Sequence, residues 1–180
     1  MITINNNMYV LDTDNTSYAF AVLGSGQLEH LYYGRKLHAN EAVMTEKLTF
    51  IPGNTNVYNK DYSSYSLEDV CLDMSSLGKG DIREPFIEVT YPNGSSTTDM
   101  VFDRAEIIQG KEEYDTLPGS YDDNGEVEQL VIYLKDRNYN LTLELHYYVY
   151  EKCDIITRSA KLVNSGYESV RLERLMSMQL

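Results

Sequence analysis

The sequence predicts an antiparallel all-β sandwich, and three observations carry that expectation. Short β-rich runs recur along most of the chain, turn residues punctuate them, and one run alternates strictly between two faces. The alternating run is Leu141 to Tyr150. Leu141, Leu143, Leu145, Tyr147 and Val149 fall on one side and Thr142, Glu144, His146, Tyr148 and Tyr150 on the other, as the two-residue period of a strand requires. The first set is expected to bury, and two tyrosines mean that the second need not be wet. At 180 residues and 42% hydrophobic, the chain suits one sizeable core, which makes a single domain the expectation.

The elements follow in order. Met8–Leu11, Ser17–Leu23 and Leu28–Tyr33 are short strands separated by Asp12-Thr13-Asp14-Asn15 and Gly24-Ser25-Gly26, the spacing of a meander. From Arg35 to Leu67 the pattern dissolves into one long irregular loop, with a short helix over Asn40–Leu48 that Asn40 would cap and Pro52-Gly53 would end. Loops of this length inside a compact domain are uncommon and often functional. The stretch Leu77-Gly78-Lys79-Gly80-Asp81-Ile82-Arg83-Glu84-Pro85 then makes a corner: the glycines allow positive φ, Asp81 can bond its own backbone, and Arg83 sits beside Asp81 and Glu84 as a structural ion pair. Beyond it, Phe86–Tyr91 and Thr98–Ile108 flank Asn93-Gly94, which predicts a hairpin. Gly110–Glu126 is polar and turn-rich; Glu128–Leu134, Leu141–Tyr150, Asp154–Val163 and Val170–Leu180 are the remaining strands. The last runs to Leu180 without breaker, cap or polar tail, so the terminus reads as a cut in a longer chain.

A net charge of −13 argues against a nucleic-acid partner, whose phosphates need clustered Lys and Arg. No run approaches membrane-spanning length and the first residues lack the pattern of a secretion signal. With only Cys71 and Cys153, the chain reads as cytoplasmic with free thiols, and its Asn-X-Ser/Thr sequons read as chance. Sixteen Tyr beside four Phe and no Trp is the distinctive composition; tyrosine suits half-buried strands, sugar stacking and protein interfaces alike.

Chemistry is sparse. His30, His38 and His146 fall on separate elements and neither cysteine has a second at ligand spacing, so no zinc site is expected. Nucleophile elbow, phosphate loop and dinucleotide fingerprint are all missing from the sequence. Any two of the 28 Asp and Glu could pair as glycosidase carboxylates once folded, but spacing in sequence does not select them. Residue by residue, the chain is an acidic β-sandwich fragment with one long irregular loop.

Six segments, in this order, carry a resemblance: Asn15-Thr16-Ser17-Tyr18 with Leu28-Glu29-His30-Leu31-Tyr32-Tyr33-Gly34; Gly80-Asp81-Ile82-Arg83-Glu84-Pro85; Asn93-Gly94-Ser95; Ile108-Gln109-Gly110-Lys111; Leu117-Pro118-Gly119-Ser120-Tyr121; and Asp154-Ile155-Ile156-Thr157-Arg158-Ser159. Together they resemble the N-terminal domain of family 36 glycoside hydrolases, the bacterial alpha-galactosidases. The chain departs from that pattern between Lys36 and Ser76, where Cys71-Leu72-Asp73-Met74 replaces Gln-Glu-Tyr-Pro.

The resemblance implies a large antiparallel β-sandwich of the supersandwich type spanning residues 1–180. It implies a following (β/α)-barrel, absent from this chain, with both catalytic aspartates of a retaining alpha-galactosidase. This chain would then hold no catalytic residue and no cofactor. Its partners would be its own barrel, other subunits of a homo-oligomer and, in the parent enzyme, the galactoside; a freestanding lectin-like sandwich is the alternative. In the family the long loop reaches a neighbouring subunit's active site. On Pro52–Tyr62 here, Asn54, Asn56, Tyr58, Asp61 and Tyr62 offer hydrogen-bond partners and rings, so Tyr58, Asp61 and Tyr62 are the candidates for contacting substrate in trans.

Overall fold

The computed structural model describes residues 1–38, 57–58, 60–63, 66–114, 116 and 118–179. Within them, strands β1 (Ile2–Asn5), β2 (Met8–Asp12), β3 (Thr16–Val22) and β4 (Leu28–Arg35) form an antiparallel meander. A second meander joins β6 (Met100–Gln109), β7 (Glu128–Asp136), β8 (Leu141–Tyr150) and β9 (Ile155–Asn164). Between them in sequence, β5 (Ile87–Thr90) pairs with β10 (Arg171–Leu175) as a small third sheet.

The inner faces of the meanders share one core. Leu141, Leu143, Leu145, Tyr147 and Val149 all bury, as the alternation of β8 requires, and meet Tyr9, Leu11, Tyr18 and Phe20 from the first sheet. Phe20 stacks on Tyr147 at 5.2 Å between ring centroids and on Tyr9 at 5.0 Å, so one aromatic stack crosses the sandwich. Burying an apolar side chain of this size contributes roughly 1.5–3 kcal/mol, which makes the cross-sheet stack a main source of cohesion. On the opposite face of β8, His146 and Tyr148 are also buried, stacked on one another at 6.2 Å.

Several expectations need correction. The Asn93-Gly94 turn forms, with Tyr91 N donating to Ser95 O at 2.8 Å and Gly94 at φ 82°, but it closes no hairpin. The backbone amides that would extend it are taken elsewhere: Thr98 N by Leu77 O and Asp99 N by the Asp136 carboxylate at 2.8 Å. Strands β5 and β6 therefore diverge into different sheets. The final strand stops at Leu175, after which Met176 N bonds Phe86 O and the Gln179 side chain accepts from Ser75 N and Oγ. Leu180 lies outside the described residues, as does the helix expected over Asn40–Leu48. β1 was not anticipated; it is four residues long, and Asn6 at φ 55° turns it back onto β2.

At the corner, Gly78 and Gly80 do adopt positive φ, 81° and 77°. Arg83 pairs with Asp81 at 2.9 Å, and the Asp81 side chain is only 1% exposed, so this is a half-buried pair that also donates to Leu67 O. Glu84 instead pairs with Arg174 of β10.

Candidate functional site at the base of the long loop

The described end of the long loop is docked on the sandwich. Lys60–Tyr62 and Leu67–Asp69 are single 3-10 turns, the second capped by the Ser66 side chain, which accepts from Glu68 N. Tyr58, Leu67, Val70 and Leu72 bury together, with Leu23 and Tyr62 packed against them, so a small satellite core fixes this segment to the β3–β4 turn. Backbone bonds from His30 N to Cys71 O and from Asp73 N to Leu28 O continue the attachment along β4.

Beneath the satellite core lies a polar anchor. The Tyr58 hydroxyl donates to Asp99 at 2.9 Å from both carboxylate oxygens, and Arg137 approaches Asp99 at 3.4 Å while donating to Tyr58 Oη and Ser25 O. Burial raises the Asp99 pKa against the opposing pull of Tyr58 and Arg137. Lys79, between the two corner glycines, places its ammonium 5.7 Å from the centre of the Tyr58 ring. The corner and the loop base are thus one assembly.

The three candidate residues separate on this platform. Tyr58 points inward and its hydroxyl is committed to Asp99. Tyr62 is half-buried, its ring 6.4 Å from that of Tyr58 and its hydroxyl donating to Gly24 O. Asp61, in the same 3-10 turn as Tyr62, is exposed on the solvent side. Asn54 and Asn56 lie outside the described residues. Two rings therefore hold the turn in place while the Asp61 carboxylate faces the solvent side. Among the described residues, no group of three or more His, Cys, Asp or Glu could hold a metal ion.

Sequence reasoning missed a second network, centred on Asp73 in the segment that departs from the family pattern. The Asp73 and Arg158 side chains are 0% and 4% exposed and pair at 3.1 Å. Tyr18 and Tyr147 both donate to the Asp73 carboxylate, and the Arg158 guanidinium lies 4.6 Å from the centre of the Tyr147 ring. Burial, then the neighbouring Asp73 charge, raises the Tyr18 pKa, which keeps the phenol a donor. Two of the resembling segments also meet nearby: Asp154, at φ 55°, accepts from Asn15 N, Asn15 Nδ2 and Thr13 Oγ1 at 2.7–2.8 Å. Those bonds, the Asn15 side chain foremost, lower its pKa. The one available signal was an Asp amid apolar residues in Cys71-Leu72-Asp73-Met74, which a partner at a distance must satisfy.

Fold and site define an all-β domain on which the described residues from Tyr58 to Leu72 dock against the β3–β4 turn. The chain belongs to glycosyl hydrolase family 36: the model of the family's N-terminal domain matches residues 26–180. It is 33% identical over 171 residues to the bifunctional alpha-galactosidase/sucrose kinase AgaSK of Mediterraneibacter gnavus, covering 94% of this chain and 18% of that protein. It is likewise 33% identical over 176 residues to alpha-galactosidase AgaA of Geobacillus stearothermophilus, covering 94% of this chain and 23% of that protein. The crystal structure of the family 36 alpha-galactosidase AgaB from Geobacillus stearothermophilus superposes with a TM-score of 0.91 at 29% identity, over 99% of this chain and 24% of that one. This chain thus spans about a fifth to a quarter of the relatives it matches.

Proposed function

We propose that residues 1–180 form the non-catalytic N-terminal domain of a longer, retaining alpha-galactosidase. The observation that carries this reading is the coverage: nearly the whole chain aligns with a relative, yet that alignment takes up only 23% of the relative's length. The resemblance implies that the nucleophile and the acid/base carboxylate belong to a following barrel. The carboxylates described at the loop base and core agree with a structural role, since Asp73 and Asp99 are buried and bonded to tyrosine hydroxyls. A relative, AgaA, has been crystallised with raffinose and with stachyose, which supports alpha-linked galactosides as the substrate class of the parent enzyme.

The domain packs on the barrel and supports contacts between subunits of a homo-oligomer. Through that assembly, the turn Lys60–Tyr62 reaches a neighbour's active-site mouth. Asp61 is the residue that meets substrate hydroxyls, Tyr62 flanks it, and Tyr58 holds the turn from below. The test is kinetic. In the full-length enzyme Asp61→Ala raises KM or lowers kcat, because it removes an acceptor for substrate hydroxyls. Tyr62→Ala also changes the kinetics, whereas Tyr58→Phe lowers stability by about 1–3 kcal/mol because it strips a donor from buried Asp99. Unchanged kinetics in Asp61→Ala and Tyr62→Ala, with the oligomer intact, would remove the loop from the active site.

A further inference from the structure

One cleft beside the β7–β8 turn, next to the Asp99–Arg137 anchor, has exposed side chains that neither the loop base nor the core uses. It has a volume of about 440 Å³ and lies between the turn after β5, the β7–β8 turn and the β9–β10 loop. That volume falls within the range of small-molecule sites. The cleft differs from its neighbours in kind. The cleft around Asp122, Asp123, Glu126 and Glu151 is rimmed by carboxylates. In the cleft around Tyr114 and Tyr148, the two hydroxyls bond one another at 2.7 Å and Lys111 lies over both rings.

Here the wall is aromatic and prebuilt. Tyr91 and Tyr139 stack with centroids 3.5 Å apart, and Asn93 Nδ2 donates to Tyr139 Oη at 3.1 Å, which sets that ring's position. Tyr167, on the β9–β10 loop, lines the same cleft with its side chain wholly exposed. Its loop is held by Asn164, which accepts from Gly166 N and donates to Glu168 O, both at 2.9 Å, so the ring stands on fixed backbone. Asn138 and Asn140 are exposed on the β7–β8 turn, each amide carrying both donors and acceptors. Tyr91 Oη is buried without a hydrogen-bond partner. Asp136 lies near it, but its two oxygens already accept from Asp99 N, Asn138 N and Tyr139 N, and the geometry to Tyr91 falls short of a bond.

The geometry points to a saccharide-binding site in this cleft, taking a neutral hexopyranoside chain. An exposed ring offers a flat apolar face to the C–H face of a pyranose, and adjacent amides match its hydroxyls in both donor and acceptor sense. Among the described residues lining the cleft there is no Lys, Arg or His and a single carboxylate, Glu168, so an anionic ligand has no counter-charge. The site goes beyond the proposed catalytic reading, and every residue lining it belongs to this chain.

Raffinose titrated into the 180-residue chain, followed by saturation-transfer NMR and calorimetry, tests the assignment. Saturable binding is expected with Kd on the order of 1–10 mM, as suits a shallow cleft with one stacking ring. Tyr167→Ala weakens binding about tenfold or more with Tm unchanged, since its side chain is exposed and packs in no core. Asn140→Ala weakens it less, while Tyr121→Ala, a comparably exposed tyrosine outside this cleft, leaves it unaltered. Absence of saturation at tens of millimolar sugar would overturn the assignment. So would equal losses in the Tyr167 and Tyr121 variants, which would mark non-specific adhesion to tyrosine.

Discussion

Replacing Asp73 by alanine removes the carboxylate that pairs with buried Arg158 and accepts from two buried tyrosine hydroxyls. Breaking a buried pair from one side is costly because the surviving charge keeps its desolvation penalty and loses its partner; such losses run about 3–5 kcal/mol. Each stranded hydroxyl adds about 1–3 kcal/mol when it finds no new acceptor, so relaxation of Tyr18 and Tyr147 decides where in the range the variant falls. Against a typical domain stability of about 5–15 kcal/mol, this is a large share. Urea unfolding reads it directly: with a slope of about 2 kcal/mol per molar, the midpoint drops by about 2 M. The double variant Asp73→Ala with Arg158→Met discriminates the cause, since removing the stranded guanidinium recovers at least about 1 kcal/mol. A single variant that loses under about 1 kcal/mol, or a double variant less stable than both singles combined, would refute the account of a desolvated pair.

The remaining predictions concern the corner and the second buried face. Gly80→Ala lowers stability by about 1 kcal/mol through its φ of 77°, because among the described residues a Cβ there meets nothing nearer than 3.8 Å. Gly78→Ala costs more, as its Cβ falls 2.9 Å from Thr97 Oγ1; equal urea midpoints for the two variants would contradict the packing argument. Burial lowers the pKa of His146 from 6.5, opposed by Glu144, with Gln129 at Nδ1 and Lys161, Glu112, Tyr114 and Tyr148 also around it. The unfolded chain therefore takes up this proton first, and the fold loses stability as pH falls below 6.5 towards the folded pKa. His146→Gln flattens that loss between about pH 7.5 and about pH 5.5, and identical profiles for parent and variant would remove His146 as its source.

Periodicity made the strands legible wherever one face buries. Leu141–Tyr150 could be read residue by residue because five alternate positions are apolar and pack in the core. Gly78 and Gly80 were legible for the same local reason, a backbone conformation that side chains resist. What the sequence hid is non-local. β5 finds its partner in β10, some eighty residues on, and a local turn signal at Asn93-Gly94 cannot say which amides the corner and Asp136 will claim. Asp73 and Arg158 stand 85 residues apart, and Tyr58 and Asp99 stand 41 apart, so neither pair leaves a spacing to recognise. At the loop base, residue type together with the family resemblance singled out Tyr58, Asp61 and Tyr62; only packing distinguishes the inward anchor from the outward carboxylate.

Hydrolysis of a nitrophenyl alpha-galactoside by the 180-residue chain, measured beside the full-length enzyme at equal concentration, tests the central claim most directly. The full-length enzyme turns the substrate over with retention of the anomeric configuration, and the chain alone gives no rate above that of the full-length enzyme lacking its barrel carboxylates. Turnover by the chain clearly above that background would place the catalytic pair within these residues and contradict the account.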